Sequence, residues 1–455
     1  MRIRIDPHVF SGTVRIPASK SHTIRRLLLA SLTDGVSEII QPLDSLDTFS
    51  CVRACQTLGA SITSQYASNE EKLLSFTVHG NNAKKGDSHL LGSHYTGDNR
   101  IDVGNSGTTL FFAMAAAGLA DVPYTFSGDE QIQRRSAAPL VEALAGLGIR
   151  AESLNGNGCV PLVIQGPWRG GRVSLTCPTS QYLSAILLAA PLAPAGAVTE
   201  IDVPLLNERP YIEMTLEYLK AQGATLEAAP DFSHFTIPGG ASYKPYSAAV
   251  PGDFSSAAFP ACAAAISGGT VTLLGLDPHD TQGDKFFMDI LAAMGCSVSW
   301  EKEPVPAGGS GAAAQYRLTI SGKGSLRGGA AFDLNAVPDL LPTAAVAAAY
   351  AEGDTALVNV AHARIKETDR IAVMAAELAK LGVRCTERPD GLVVHGAAGI
   401  HSVSGGCIDS HGDHRIAMAF AAAALAASTP VEIDGAECAS VTYPGFLELL
   451  RARYL

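Results

Sequence analysis

Six stretches of the chain are apolar in nearly every position and rich in alanine, and each opens on a polar or charged cluster. The openings are Lys20-Ser21-His22-Thr23-Ile24-Arg25, Asn105-Ser106-Gly107-Thr108-Thr109, Thr179-Ser180-Gln181, Asp253-Phe254-Ser255-Ser256, Asp339-Leu340-Leu341-Pro342-Thr343 and Asp413-His414-Arg415. A helix that is apolar all round is a buried helix, so the pattern predicts six buried helices of about 14 to 16 residues each. They recur every 74 to 86 residues or so, too long a period for a short-repeat solenoid. Buried helices that begin with Lys, Arg, Asp and His need a reason for those charges. If the six N-termini converge, their free N–H groups and partial positive charge form an anion site.

A second, amphipathic series alternates with the first and repeatedly ends in Leu or Met, then Gly, then a strand pattern. Members run over 52–59, 140–148, 211–223, 287–295 and 371–382, and a sixth, 443–451, closes the chain. Glycine there suits a left-handed helix cap. Each unit therefore reads as one buried helix, one surface helix and several short strands, an α/β (α+β) pattern repeated six times. Six units exceed one core, so the natural partition is two similar domains of three repeated units each. The turn-rich stretch 238–245 lies between units three and four, and leaves the strand before Lys20 free to pair with either half. Polar residues 81–99 and 308–315 read as exposed insertions.

Composition narrows the function. Hydrophobic residues make up 47% of the 455 and charged residues 17%, which specifies large buried surfaces. A net charge of −11 argues against nucleic-acid partners but leaves room for a cationic pocket holding a small anion. The apolar helices fall short of the ~20 residues that span a bilayer, and residues 1–6 read as a strand, not a leader. Nine scattered cysteines without a CxxC pair suggest reduced thiols and a cytoplasmic setting. Cys51 and Cys55, one helical turn apart, read as packing. The polar faces of the surface helices suggest a monomer.

Five segments in order along the chain carry a resemblance: Pro17-Ala-Ser-Lys-Ser-His-Thr-Ile-Arg25, Gly104-Asn-Ser-Gly-Thr108, Ser180-Gln-Tyr-Leu183, Arg364-Ile-Lys-Glu-Thr-Asp-Arg370 and Gly412-Asp-His-Arg-Ile-Ala-Met418. Together they resemble the enolpyruvyl transferases, and among these the branch that works on shikimate 3-phosphate. The resemblance implies an inside-out α/β barrel. In that fold, two similar domains each have three parallel buried helices surrounded by sheets, and they close on substrate between them. It puts residues 20–250 in an N-terminal domain on the shikimate-phosphate side. Residues 1–19 and 251–455 form the C-terminal domain on the phosphoenolpyruvate and proton-transfer side. The implied reaction moves the enolpyruvyl group of phosphoenolpyruvate to the 5-hydroxyl of shikimate 3-phosphate and releases phosphate, in aromatic amino-acid biosynthesis, with no metal or organic cofactor. Both partners are small polyanions, which helix N-termini, Lys and Arg hold well.

The same resemblance implies roles for residues. Lys20 touches both substrates and is a candidate proton donor; at a helix start it opposes the macrodipole, so a purely structural role is a poor account of it. Ser21 and Arg25 hold the acceptor carboxylate and hydroxyls. Asn105, Gly107 and Arg135 face phosphoenolpyruvate. Thr179, Ser180 and Gln181 hold the acceptor's phosphate and ring, although an ordinary N-cap reads the same way, and Tyr211 lies on the acceptor side. Asp339 is the candidate base for the 5-hydroxyl, and Glu367 the group that moves protons at the methylene carbon. Lys366 flanks Glu367, Arg370 and Arg415 clamp the phosphoenolpyruvate carboxylate, and His414 is a hydrogen-bonding neighbour. His411, Asp413 and His414 could be misread as a metal site, but no distant ligand completes one.

Several positions depart from the family pattern. Phe111, His362 and Leu46 replace an arginine, an asparagine and an aspartate, Glu208 replaces a serine near the acceptor phosphate, and Val441 replaces a lysine that contacts phosphoenolpyruvate. Loss of one charge-assisted contact in a closed site costs ~2–4 kcal/mol, roughly 30- to 1,000-fold in rate. Three readings stay open on sequence alone: a divergent enzyme of this reaction, a transferase for another anionic hydroxyl acceptor, and a non-catalytic anion-binding paralogue.

Overall fold

The computed structural model describes residues 1–67, 72–81, 99–302 and 316–451. The polar stretches 81–99 and 308–315 fall outside them, apart from Asn81 and Asn99. The chain forms two compact units, Lys20–Val250 and Met1–Ser19 with Pro251–Leu455. Both are mixed α/β.

In the first unit the helices are α1 (Lys20–Ser31), α2 (Leu46–Thr57), α3 (Gly107–Ala117), α4 (Ala138–Gly146), α5 (Gln181–Ala189) and α6 (Arg209–Ala221). The second unit continues with α7 (Phe254–Ser267), α8 (Phe286–Ala293), α9 (Leu341–Ala349), α10 (Arg370–Lys380), α11 (His414–Ala424) and α12 (Phe446–Arg451). The odd-numbered helices are the alanine-rich ones. Every residue of α7, α9 and α11 is buried, and in α3 only Thr108 is not. α1 packs on α3 and α3 on α5, while α7, α9 and α11 touch one another. Alanine permits this close approach, and Tyr350 Oη ties α9 to α11 by donating to Ala423 O at 2.6 Å.

These helices are shorter than their apolar runs, at 9 to 14 residues. Proline is the reason at two of them. Past α5, Pro191 sits in a 3-10 turn, Ala190–Leu192, and Pro338 opens another, Pro338–Leu340, before α9. The even-numbered, amphipathic helices α2, α4, α6, α8 and α10 are followed by Gly59, Gly148, Gly223, Gly295 and Gly382, all at positive φ between 75° and 106°. That is the left-handed cap their spacing called for.

Sheet topology repeats with the helices. In four four-stranded sheets and one five-stranded sheet, strands pair in parallel at one side, and an antiparallel hairpin extends the other. Strand 36–40, for example, lies parallel to 247–249 and antiparallel to 73–79. The sixth sheet has three strands: 406–409 runs parallel to 431–434, and Arg2–Ile5 supplies the antiparallel third. Gly12–Arg15 joins strand 270–274 in parallel. Both N-terminal strands therefore complete sheets of the second unit.

Candidate active site

In the second unit the chemistry gathers at the starts of α10 and α11. Arg370, the first residue of α10, has no solvent exposure and is held by three carboxylates. Its Nε donates to Asp413 Oδ2 at 2.8 Å, its Nη1 to Asp339 Oδ1 at 2.7 Å and its Nη2 to Glu367 Oε2 at 2.6 Å. Asp413 also caps α11, accepting from Arg415 N at 2.9 Å, and takes the Thr368 hydroxyl at 3.1 Å. Asp339 receives two further cations: Arg415 Nη2 at 3.0 Å and Lys366 Nζ at 3.9 Å. The aspartate caps no helix itself, because it lies inside the 3-10 turn before α9.

Burial pushes the Asp339 carboxyl up, but Arg415, Lys366 and Arg370 reverse this and hold it well below the usual carboxylate range. Burial likewise lowers the Arg370 guanidinium, and Asp413, Glu367 and Asp339 more than offset that, so it stays charged. Asp339 is thus an ionised acceptor, made a weak base by the cations that surround it. His414, the first residue of α11, is buried next to Asp413. His411 turns elsewhere, its Nε2 2.9 Å from the buried Glu377, which also holds Lys380 and the Asp409 amide. Among the described residues no group of three or more His, Cys, Asp or Glu side chains is arranged to hold a metal ion.

The first unit sorts its residues into separate contacts. Lys20, the first residue of α1, is paired with buried Asp47 at 3.1 Å, which offsets the misplaced charge at a helix N-terminus. Arg25 is 2% exposed. Its guanidinium donates to Thr215 Oγ1, Ser184 Oγ and the carbonyls of Ser21 and Tyr211, and it stacks over Phe112 and Tyr211. Those partners are all neutral, and burial pushes Arg25 down to about 10. Arg135 and Gln181 meet over Gly107: a Cβ there would lie 2.5 Å from Arg135 Nη1 and 3.7 Å from Gln181 Oε1. Asn105 donates to Gln131 Oε1 at 2.8 Å.

Thr179 and Ser180 converge on one atom. Glu208 Oε2 accepts from Thr179 Oγ1 at 3.0 Å, Ser180 N at 2.9 Å and Ser180 Oγ at 2.8 Å. Ser180 is therefore no self-sufficient N-cap: its backbone is already helical, its side chain makes no cap bond, and its buried hydroxyl donates to Glu208 instead.

Of the replaced family positions, Phe111 is buried edge-on against Tyr182 at 4.8 Å. His362 is buried with Nε2 3.1 Å from Asn335 O. Leu46 opens α2 and is exposed, while the acid next to it, Asp47, takes Lys20. Val441 ends the 3-10 turn Ala436–Val441 and brings no charge. Asp413, Asp47, Ser184 and Thr215 are the site neighbours that sequence reasoning did not select. Only Asp413 left a signal, as the acid of Gly-Asp-His-Arg.

The model of the EPSP synthase family (3-phosphoshikimate 1-carboxyvinyltransferase) matches residues 6–450. A 3-phosphoshikimate 1-carboxyvinyltransferase of Ruminiclostridium cellulolyticum is 42% identical over 452 residues, covering 99% of this chain and 98% of its own. One of Acetivibrio thermocellus is 43% identical over 451 residues, covering 99% and 97%. The 2.37 Å structure of EPSP synthase from Acinetobacter baumannii superposes with a TM-score of 0.78 at 27% identity, covering 98% of this chain and 97% of that one. With the Arg364–Arg370 and Gly412–Arg415 segments forming one charged cluster, and the family match running nearly end to end, the chain belongs to the EPSP synthase family, the 3-phosphoshikimate 1-carboxyvinyltransferases.

Proposed function

We propose that this chain transfers the enolpyruvyl group of phosphoenolpyruvate to the 5-hydroxyl of shikimate 3-phosphate, releasing phosphate. The observation that carries the reading is the meeting of two carboxylates, Asp339 and Glu367, with three cations, Lys366, Arg370 and Arg415. Addition and elimination at an enol need a base for the hydroxyl, a group that gives and takes a proton at the methylene carbon, and fixed cations for the anions.

In this reading Arg370 and Arg415 turn their forks from Asp339 to the carboxylate of phosphoenolpyruvate. That transfer weakens the cationic hold on Asp339 and makes it a stronger base for the 5-hydroxyl proton. As the acceptor oxygen bonds to C2, a protonated Glu367 delivers its proton to the methylene carbon, after letting go of Arg370. Elimination reverses that transfer: Glu367 takes a proton back, the C2–O bond to phosphate breaks, and Lys20 protonates the departing phosphate. Lys366, Asn105, Gly107, Arg135 and His414 would serve phosphoenolpyruvate; Ser21, Arg25, Thr179, Ser180, Gln181 and Tyr211 would serve the acceptor.

The repeated helices and sheets support an inside-out barrel in each unit, with three buried helices ringed by three sheets. All nine cysteines are free thiols, which supports a cytoplasmic setting. Among the described residues no helix is long and apolar enough to cross a membrane. We read the active form as a monomer, on the polar faces of the even-numbered helices; a stable dimer in sedimentation would overturn that. The test of the reaction is phosphate release on mixing the protein with phosphoenolpyruvate and shikimate 3-phosphate, beside Glu367→Gln. Turnover that vanishes in the variant supports the assignment; no release from the unmodified protein sinks it.

A further inference from the structure

We propose that Glu208 is an internal substitute for the acceptor's phosphate: its carboxylate fills the Thr179–Ser180 cradle, and a phosphorylated acceptor binds only in exchange for it. The inference rests on the acceptor assignment above.

Three donors, two hydroxyls and one amide, point at a single oxygen of Glu208 from within 3.0 Å. The amide belongs to Ser180, the residue just before α5, where the helix field also favours an anion. Such a cradle suits any oxyanion, and here it is taken by a side chain that is 2% exposed. Glu208 reaches it from a strained backbone, at φ 60° and ψ 40°, a left-handed conformation that a glutamate adopts only when its surroundings compel it. Strain held by three bonds is released when those bonds pass to another anion. Two anions cannot share the cradle, since like charges at hydrogen-bond distance repel strongly in a buried site.

The cradle adjoins the contacts of Arg25. Glu208 directly precedes α6, and its carbonyl accepts from Tyr211 N at 3.1 Å. Tyr211 O and Thr215 Oγ1, both on α6, are acceptors for the buried Arg25 guanidinium. Glu208 thus sits at the N-terminus of the helix that holds Arg25.

The experiment measures binding of shikimate 3-phosphate and of shikimate to the unmodified protein, Glu208→Ser and Glu208→Gln by titration calorimetry, with thermal melts to establish folding. The readout is the ratio of the shikimate Kd to the shikimate 3-phosphate Kd, which a general loss of structure does not raise. We expect Glu208→Ser to raise the ratio at least fivefold and Glu208→Gln, which keeps an acceptor oxygen without the charge, to raise it less. If Glu208→Ser fails to fold, Glu208→Gln decides alone, with a ratio at least twofold above that of the unmodified protein expected. A ratio within twofold of the unmodified protein in every variant that folds overturns the proposal and leaves Glu208 as a cap for α5. No binding of shikimate 3-phosphate by the unmodified protein would overturn the acceptor assignment itself, and this proposal with it.

Discussion

Arg370 and Asp413 form an ion pair closed to water. Nε lies 2.8 Å from Oδ2 and Nη2 3.2 Å from Oδ1, and neither side chain has any exposure. The pair joins the first residue of α10 to the N-cap of α11, so one contact sets both helix starts and the orientation of the guanidinium that Glu367 and Asp339 share. Removing one partner of such a pair leaves a buried charge uncompensated. Asp413→Ala should lower the unfolding free energy by about 3–5 kcal/mol, measured in urea at pH 7. A loss below about 1 kcal/mol would mean that water or Thr368 replaces the carboxylate.

Glu367→Gln tests chemistry rather than folding. The amide keeps the shape and an acceptor oxygen for Arg370 but carries no proton to the methylene carbon. A drop in kcat of roughly 100- to 10,000-fold is expected, with shikimate 3-phosphate binding retained, as read by stopped-flow phosphate release and calorimetry. A variant within threefold of the unmodified kcat removes Glu367 from the proton transfers.

Gly107 should not tolerate a methyl group without cost to phosphoenolpyruvate. The added Cβ of Gly107→Ala meets Arg135 Nη1 at 2.5 Å, the movable end of a long side chain. The fold should accommodate this with a stability change under about 1 kcal/mol, while the displaced guanidinium raises the KM for phosphoenolpyruvate roughly tenfold. An unchanged KM would show that Arg135 does not serve that substrate.

Acid should unfold the protein through its cation-held carboxylates. Asp339, Asp413 and Glu377 all lie below their ordinary values in the folded state. Their stabilising contribution is complete above the unfolded values of 3.8 and 4.5 and is lost as the pH falls toward the folded ones. Unfolding free energy should hold steady from pH 7 to about 5 and fall below about pH 4, each differentially bound proton adding about 1.4 kcal/mol per pH unit. Asp339→Asn should flatten that descent, even if it is less stable at pH 7. An equal slope in both proteins would contradict the depressed Asp339 carboxyl.

Much of this was legible along the chain, for local reasons. All-apolar alanine runs and glycines placed after amphipathic runs report on the nearest four residues, so helix type and the left-handed caps at Gly59 or Gly382 follow from spacing. Lys366, Glu367 and Arg370 lie within one turn of each other and read as one constellation. Helix length was less legible: Pro191 and Pro338 convert the ends of apolar runs into 3-10 turns, and hydrophobicity does not distinguish those from helix.

The sequence by itself determined the six-fold alternation of buried and amphipathic helices, and the cations and acids that open them, because both depend on short-range periodicity and residue chemistry. Only the tertiary structure decided which distant partners meet. Asp413 is 43 residues from Arg370, Asp47 27 from Lys20 and Glu208 28 from Ser180, and Arg2–Ile5 finds its sheet more than 400 residues away. Pairing at such separations depends on how the helices stack, and nothing local in the chain encodes it.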